Sequence, residues 1–276
     1  MSARLGIVAG SGGVPRQLIE RCRALNREVF VVAINGETEN ETVADVPHEW
    51  IDVAAIGRAV AALQNAGCEE VCFIGPVKRP NFGSLKPDWQ GIKLLPKVIA
   101  AAREGDDAVL SVIIDHVEAS GFRVVGVDEV LQQIAAPHGP LGRHRPSAEE
   151  EADIAKGIAV IHALGPFDVG QGAVVRAGQV LAIEAAEGTD AMLARCAELR
   201  RERPHGVLVK CPKPAQDRRV DLPTIGPRTV AGAAAAGLRG IAVAAQNSLI
   251  AEREATVSAA DDHGLFVVGV DVEALR

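Results

Sequence analysis

The apolar run Leu5-Gly-Ile-Val-Ala9 ends in the turn Gly10-Ser-Gly-Gly13, and a second continuous run, Val29-Phe-Val-Val-Ala-Ile34, follows it. Between them Leu18, Ile19, Cys22 and Leu25 fall on one face of a helix. Strands that are apolar throughout need cover on both faces, and two parallel strands need a crossover. The stretch therefore predicts a β-α-β unit in a parallel sheet.

The alternation persists. Residues 54–66 read as helix, Val71-Cys-Phe-Ile74 as strand, 91–103 and 106–120 as helices, and Phe122-Arg-Val-Val-Gly126 as strand. Between 132 and 147 it lapses into Pro, Gly and basic residues without periodicity, which marks a linker; His138 and His144 read as solvated side chains within it. A helix over 149–164 then opens a second half. Two strands follow around an Ala177-Gly178 turn, then a helix beginning at Glu187-Gly-Thr-Asp190 with Met192, Leu193 and Cys196 inward. Thr189 suits its N-cap and Asp190 its first turn. After the apolar run Gly206-Val-Leu-Val209 come a helix near 228–236, the strand Gly240-Ile-Ala-Val243, a helix ending at 261–264 and the strand Leu265-Phe-Val-Val268. The expected architecture is α/β: a Rossmann-like parallel-sheet domain over 1–131, a linker over 132–147, and a second, mixed α/β domain over 148–276.

Several partners are disfavoured. A net charge of −7, 3% aromatic residues and no Tyr leave little for nucleic acid to stack on or pair with. No apolar run has the length to cross a bilayer, and the N-terminus, broken at Gly10, does not read as a signal sequence. Five scattered cysteines fit a reducing cytosol, with Cys68 and Cys72 as small buried hydrophobes.

The glycine turn 10–13 would aim backbone N–H groups at an anion, or serve only as a turn. A nicotinamide site is disfavoured, because Pro15 stands where the dinucleotide fingerprint needs its third glycine and no acid closes the second strand. The loop Gly75-Pro-Val-Lys-Arg-Pro-Asn81 carries two cations, Lys78 and Arg79. Asp106 and Asp107 read as a helix cap and first turn, and Asp261 and Asp262 as surface acids.

The chemically densest stretch is 210–226, where Pro212, Pro214 and Pro223 stiffen a loop on the end of an apolar strand. Lys210, Lys213, Arg218 and Arg219 surround Asp217 and Asp221 within it. The pattern suits a phosphoryl group carrying a metal ion, and it equally suits a solvated charged loop. Glu184 ends an apolar strand, where a carboxylate is costly unless paired or metal-bound.

Six stretches in order carry a resemblance: Gly-Pro-Val-Lys-Arg-Pro (75–80), Gly-Asp-Asp-Ala-Val-Leu (105–110), Gly-Gln-Gly-Ala-Val-Val (170–175), Leu-Ala-Ile-Glu-Ala-Ala-Glu-Gly-Thr-Asp (181–190), 213–226, and Asp-Asp-His-Gly-Leu-Phe-Val (261–267). Together they are similar to the LpxI family, the UDP-2,3-diacylglucosamine pyrophosphatases of lipid A biosynthesis in some Gram-negative bacteria. The resemblance implies a Rossmann-like N-terminal domain, a C-terminal domain of the family's own type and a lipid substrate held between them. It further implies magnesium-dependent hydrolysis to UMP and 2,3-diacylglucosamine 1-phosphate, with water attacking the sugar-side phosphorus. The family's essential aspartate maps onto Asp221.

With that resemblance, Mg²⁺ is expected on Asp221, helped by Glu184, Glu187 or Asp190, and Lys213 is expected at the reacting phosphate. Substrate contacts are expected from Gly10, Ser11, Gly12, Gly13, Lys78, Arg79, Asn81, Gln171, Gly188, Thr189, Arg219, Thr224 and Gly226. The expected partner is a lipid–nucleotide, with no nucleic acid, a homodimer admitted, and transient contact of a cytoplasmic protein with the inner leaflet of the inner membrane. The rival readings are a non-catalytic lipid–nucleotide binder and a nucleotide-dependent oxidoreductase.

Overall fold

The structure is a computed structural model that describes residues 3–78, 85–131, 134–199, 205–214, 217, 219 and 221–275. The chain divides into two units: 1–132 with 219–221, and 133–218 with 222–276.

In the first unit β1 (Arg4–Ala9), α1 (Val14–Ala24), β2 (Val29–Ile34), α2 (Asn40–Val43), β3 (His48–Ile51), α3 (Ile56–Asn65), β4 (Cys68–Ile74), α4 (Trp89–Ala101), α5 (Asp106–Ala119), β5 (Arg123–Val124) and α6 (Val127–Val130) follow in turn. The sheet runs β3-β2-β1-β4-β5, and every pairing is parallel. This is the expected parallel sheet. Leu5, Ile7, Val31, Val32 and Val71 are fully buried because helices cover both faces. On one face Ile51, Val60, Leu63, Ile114, Val117 and Phe122 close a single apolar cluster.

The chain leaves β1 and β4 at their carboxyl ends for opposite sides of the sheet, so the loops after them flank the switch point where such sheets place ligands. Two boundaries differ from the sequence reading. β4 begins earlier, at Cys68, and β5 shrinks to Arg123–Val124 because it pairs only with Glu70 and Val71. β3 escaped notice because His48–Ile51 is a half-exposed edge strand with no apolar alternation.

The second unit contains β6 (Gly139–Leu141), α7 (Ala148–Leu164), β7 (Gly172–Arg176), β8 (Gln179–Ile183), α8 (Gly188–Glu198), β9 (Val207–Lys210), β10 (Thr224–Ile225), α9 (Pro227–Ala235), β11 (Gly240–Ala244), β12 (Leu249–Ile250), α10 (Arg253–Asp262) and β13 (Phe266–Val270). Six strands form one mixed sheet, β6-β13-β11-β9-β7-β8, and β10 pairs with β12 separately. β9, β11 and β13 are parallel; β6 and β7 run against them, and β8, antiparallel to β7, runs with them.

Side chains along β9 alternate between two cores. Val207 and Val209 join the cluster under α7, with Ile154, Ile158 and Ile161, and Leu208 joins the opposite cluster with Met192, Leu193 and Val230. By the same alternation Lys210 takes the side of α8.

The start of α7 is set by a reciprocal cap: Ser147 Oγ accepts from the Glu150 N–H, and Glu150 accepts from the Ser147 N–H at 2.7 Å. The expected Ala177-Gly178 turn is present, with both residues at positive φ. Asp153, 1% exposed, holds it by accepting from the Ala177 N–H at 2.9 Å and the Gly178 N–H at 2.7 Å.

Within 132–147 the composition predicts no regular element, yet Gly139–Leu141 forms an edge strand on β13. Three residues rich in Gly and Pro give no periodic signal. What pins the segment is distant: Asp261 Oδ1 accepts from the Arg143 N–H at 2.7 Å. Asp261 is thus a tether rather than a loose surface acid. All five cysteines are buried, and burial pushes the Cys72 thiol far up.

Candidate active site

In the second unit the carboxyl ends of β9, β11 and β13 share one end of the sheet with the end of β8 and the start of β7. That end gathers the polar groups. Lys210, the last residue of β9, is only 4% exposed. Its Nζ donates to Thr189 Oγ1 at 2.6 Å, and Thr189 Oγ1 donates to Glu184 Oε1 at 2.7 Å. Lys210 Nζ also stands 3.7 Å from Glu184 Oε2, a buried oxygen with no hydrogen-bond partner among the described residues.

The strand-end carboxylate that sequence could not account for is therefore the counter-ion of a buried lysine. Glycines make the room: a Cβ on Gly172 would lie 2.4 Å from Glu184 Oε2, and one on Gly170 2.1 Å from the Glu184 carbonyl. Between them Gln171 accepts at its carbonyl from the Cys211 N–H at 3.1 Å, which fixes the first residue of the loop after β9.

Lys213, 8% exposed, forms an ion pair with Asp168, itself at a positive φ beyond the turn Gly165–Phe167. Sequence reasoning missed Asp168, since nothing local marks a partner so far back in the chain. The other expected metal helpers lie apart from Glu184. Glu187 pairs with Arg195 at 2.5 Å; its own backbone N–H and that guanidinium hold its carboxyl below the usual carboxylate range. Asp190 is exposed in the first turn of α8, 3.6 Å from Arg228.

Thr189 is not the N-cap of α8. That place falls to Glu187, without a side-chain cap, because the Thr189 hydroxyl is committed between Lys210 and Glu184. The Gly188 N–H, expected to meet phosphate, donates instead to the Ala185 carbonyl at 3.1 Å. Thr224 Oγ1 donates to the Leu222 carbonyl, and the Gly226 N–H donates to Thr229 Oγ1 at the start of α9.

In the first unit the glycine turn is already closed. The Gly10 N–H donates to the Ile74 carbonyl at 2.8 Å, the Ser11 N–H to the Pro76 carbonyl at 2.9 Å, and Ser11 Oγ to that same carbonyl at 3.0 Å. A Cβ on Gly10 would meet the Gly75 carbonyl at 2.4 Å, so glycine is what lets the two loops touch. The Gly12 N–H donates to Glu39 Oε1 at 2.9 Å, and Gly13 precedes α1. A carboxylate thus sits where an anion cradle would take phosphate. Lys78 is exposed, while Arg79, Asn81 and Arg218 lie outside the described residues.

Arg219 and Asp221 are half-buried and fall with the first unit, where Arg219 donates to Glu118 Oε1 of α5 at 2.7 Å. Asp106 and Asp107 occupy the first turn of α5 behind the N-cap Gly105.

Among the described residues no three His, Cys, Asp or Glu side chains converge as a metal site. Glu184, Glu187 and Asp190 each face a different cation of the protein: Lys210, Arg195 and Arg228. Asp221 lies on the loop between β9 and β10. A single carboxylate on a loop fits magnesium, which takes one or two carboxylates and completes its shell with water and substrate phosphate.

Comparison with known proteins converges on one family. The LpxI N-terminal domain matches residues 4–134 and the LpxI C-terminal domain residues 137–268. UDP-2,3-diacylglucosamine pyrophosphatase LpxI of Caulobacter vibrioides is 46% identical over 274 residues, covering 97% of this chain and 98% of that one. Two solved structures are far more distant. N5-carboxyaminoimidazole synthase from Aspergillus clavatus is 15% identical over 74% of this chain and 46% of its own, with a TM-score of 0.23. The biotin carboxylase domain of Hydrogenobacter thermophilus 2-oxoglutarate carboxylase is 12% identical over 72% and 42%, with a TM-score of 0.26. Nothing about fold or chemistry follows from those two.

Proposed function

This chain belongs to the LpxI family, and from that membership we propose that it hydrolyses the pyrophosphate of UDP-2,3-diacylglucosamine in lipid A synthesis. It is a hydrolase, as is its 46%-identical relative. The products are UMP and 2,3-diacylglucosamine 1-phosphate. Water adds to the sugar-side phosphorus as the bond from that phosphorus to the bridging oxygen breaks, and the bridging oxygen leaves with UMP.

The observation that carries the reading is the end of β9, Lys210, and the loop after it, which bears Lys213 and Asp221 in sequence and begins at the carboxyl end of parallel strands. Lys213 is held by Asp168, and its ammonium is the charge set to stabilise phosphoryl oxygens as charge builds on them. Asp221 is the residue assigned to hold Mg²⁺, together with oxygens of the diphosphate. A magnesium ion held there would supply neutralisation of the diphosphate charge and a more acidic water. Lys210, with Glu184 and Thr189, fixes the root of the loop and stays out of the chemistry.

A substrate with a nucleotide head and two acyl chains implies a cytoplasmic enzyme that visits the inner leaflet. Among the described residues no helix is long and apolar enough to cross a membrane. The oxidoreductase reading loses support, since the Gly12 N–H is already taken by Glu39.

The test is UMP release from detergent-dispersed UDP-2,3-diacylglucosamine by purified protein. Release with Mg²⁺ that EDTA stops and added Mg²⁺ restores is expected. Binding of the substrate without release would make the protein a lipid–nucleotide binder, and release indifferent to EDTA would remove the metal.

A further inference from the structure

α4 is apolar on two faces. Inward, Gly91, Leu94 and Ala101 are buried where the helix packs on α3 and α5, and Gly91 is tight enough that a Cβ would sit 2.2 Å from the Ala54 carbonyl. Outward, Trp89, Ile92 and Ile99 are 69%, 50% and 41% exposed, and Pro96 is exposed beside them. These four recur at helical spacing and share one stripe.

Apolar cover for a fold goes to one face of a surface helix, so a second stripe needs a separate explanation. The charges along α4 itself are one-sided. Lys86, Lys93, Lys97 and Arg103 are exposed, while the carboxylate between 85 and 103, Asp88, is spent on the Gly91 and Arg58 N–H groups at 2.7 Å each. Acids resume only at Glu104, Asp106 and Asp107. Lys93 Nζ lies 5.1 Å from the centre of the Trp89 ring, which keeps cation and indole at one level. On a chain of net charge −7 the outward face of α4 is basic and apolar; of the acids on the neighbouring α5, Glu118 is paired with Arg219.

We propose that α4 is the membrane-docking helix of this protein, lying along an anionic phospholipid surface. Trp89, Ile92 and Ile99 enter the headgroup–acyl boundary, and Lys93 and Lys97 meet lipid phosphates. A second copy of the chain is the poorer occupant, because stacking two such helices would bring like lysines together. The placement rests on the diacylated substrate proposed above, and it supplies the surface on which such a substrate is met.

The test is flotation of the full chain with vesicles of phosphatidylcholine alone or with phosphatidylglycerol. Trp89 emission is read in a Trp50→Phe background, and UMP release is followed in parallel on detergent-dispersed substrate. Flotation is expected with phosphatidylglycerol only, with a blue shift of Trp89 and weakening as salt rises. The pairs Ile92→Asp/Ile99→Asp and Lys93→Glu/Lys97→Glu should each cut binding about tenfold or more and leave hydrolysis in detergent unchanged.

Wild-type flotation by both pairs, or none by the parent chain, overturns the proposal. So does a dimer that Ile92→Asp dissociates without changing flotation, which would assign the face to a second copy. If flotation behaves as expected while no UMP is released in detergent, the docking helix stands and the reaction is wrong.

Discussion

Asp221→Asn is expected to lower UMP release by a factor of about 10³ or more while leaving the thermal transition where it was. The substitution keeps the shape of the half-buried side chain and removes its charge. A carboxylate that holds the ion on the diphosphate contributes to every transition state, so kcat falls and excess Mg²⁺ does not restore it. The effect should exceed that of Glu187→Gln or Asp190→Asn. Those carboxylates already face Arg195 and Arg228 and lie outside the proposed ligand set. A variant of Asp221 that turns over at the wild-type rate would remove the residue from the mechanism. Steady-state kinetics with a melting curve on the same sample separates lost chemistry from lost folding.

Lys210→Met carries the largest effect on stability. It leaves the Glu184 carboxylate, 8% exposed, without its cation, and breaking one side of a buried pair costs about 3–5 kcal/mol. The Thr189 hydroxyl also loses its donor. Replacing both charges, as in Glu184→Gln with Lys210→Met, should recover most of that loss, because neither partner is then stranded. The measurement is denaturant unfolding of the two single variants and the double. Equal losses that simply add would mean that the groups do not interact, and the anchoring of the loop would lie elsewhere.

Much of the fold is legible from local pattern. Continuous apolar strands such as Val29–Ile34 announce a sheet covered on both faces, and Ala177-Gly178 announces its own turn. The series of six motifs reaches the family that the comparisons return. The losses share a cause, which is partnership across long stretches of chain. β6 is an edge strand whose tether, Asp261, lies more than a hundred residues away. Glu39 reaches Gly12 from beyond β2, and no spacing rule foretells a carboxylate filling an anion cradle.

The same holds for the candidate residues of each unit. Lys213 is visible as a cation, but its partner Asp168 is not; Arg219 is visible, but Glu118 is not. Glu184 reads as a strand-end acid in need of company, and sequence leaves open whether that is a metal or a lysine. Alternation along β9 supplies the lysine, because Lys210 falls on the side of α8 where Thr189 bridges the two.

The central claim is tested most directly by running the reaction in heavy-oxygen water with Mg²⁺ and weighing both products. The account predicts the heavy atom in the phosphate of 2,3-diacylglucosamine 1-phosphate, with none in UMP, and no label in either when EDTA replaces the metal. Label in UMP would contradict it: water would then have attacked the nucleotide-side phosphorus, and the roles proposed for Lys213 and Asp221 would have to be abandoned.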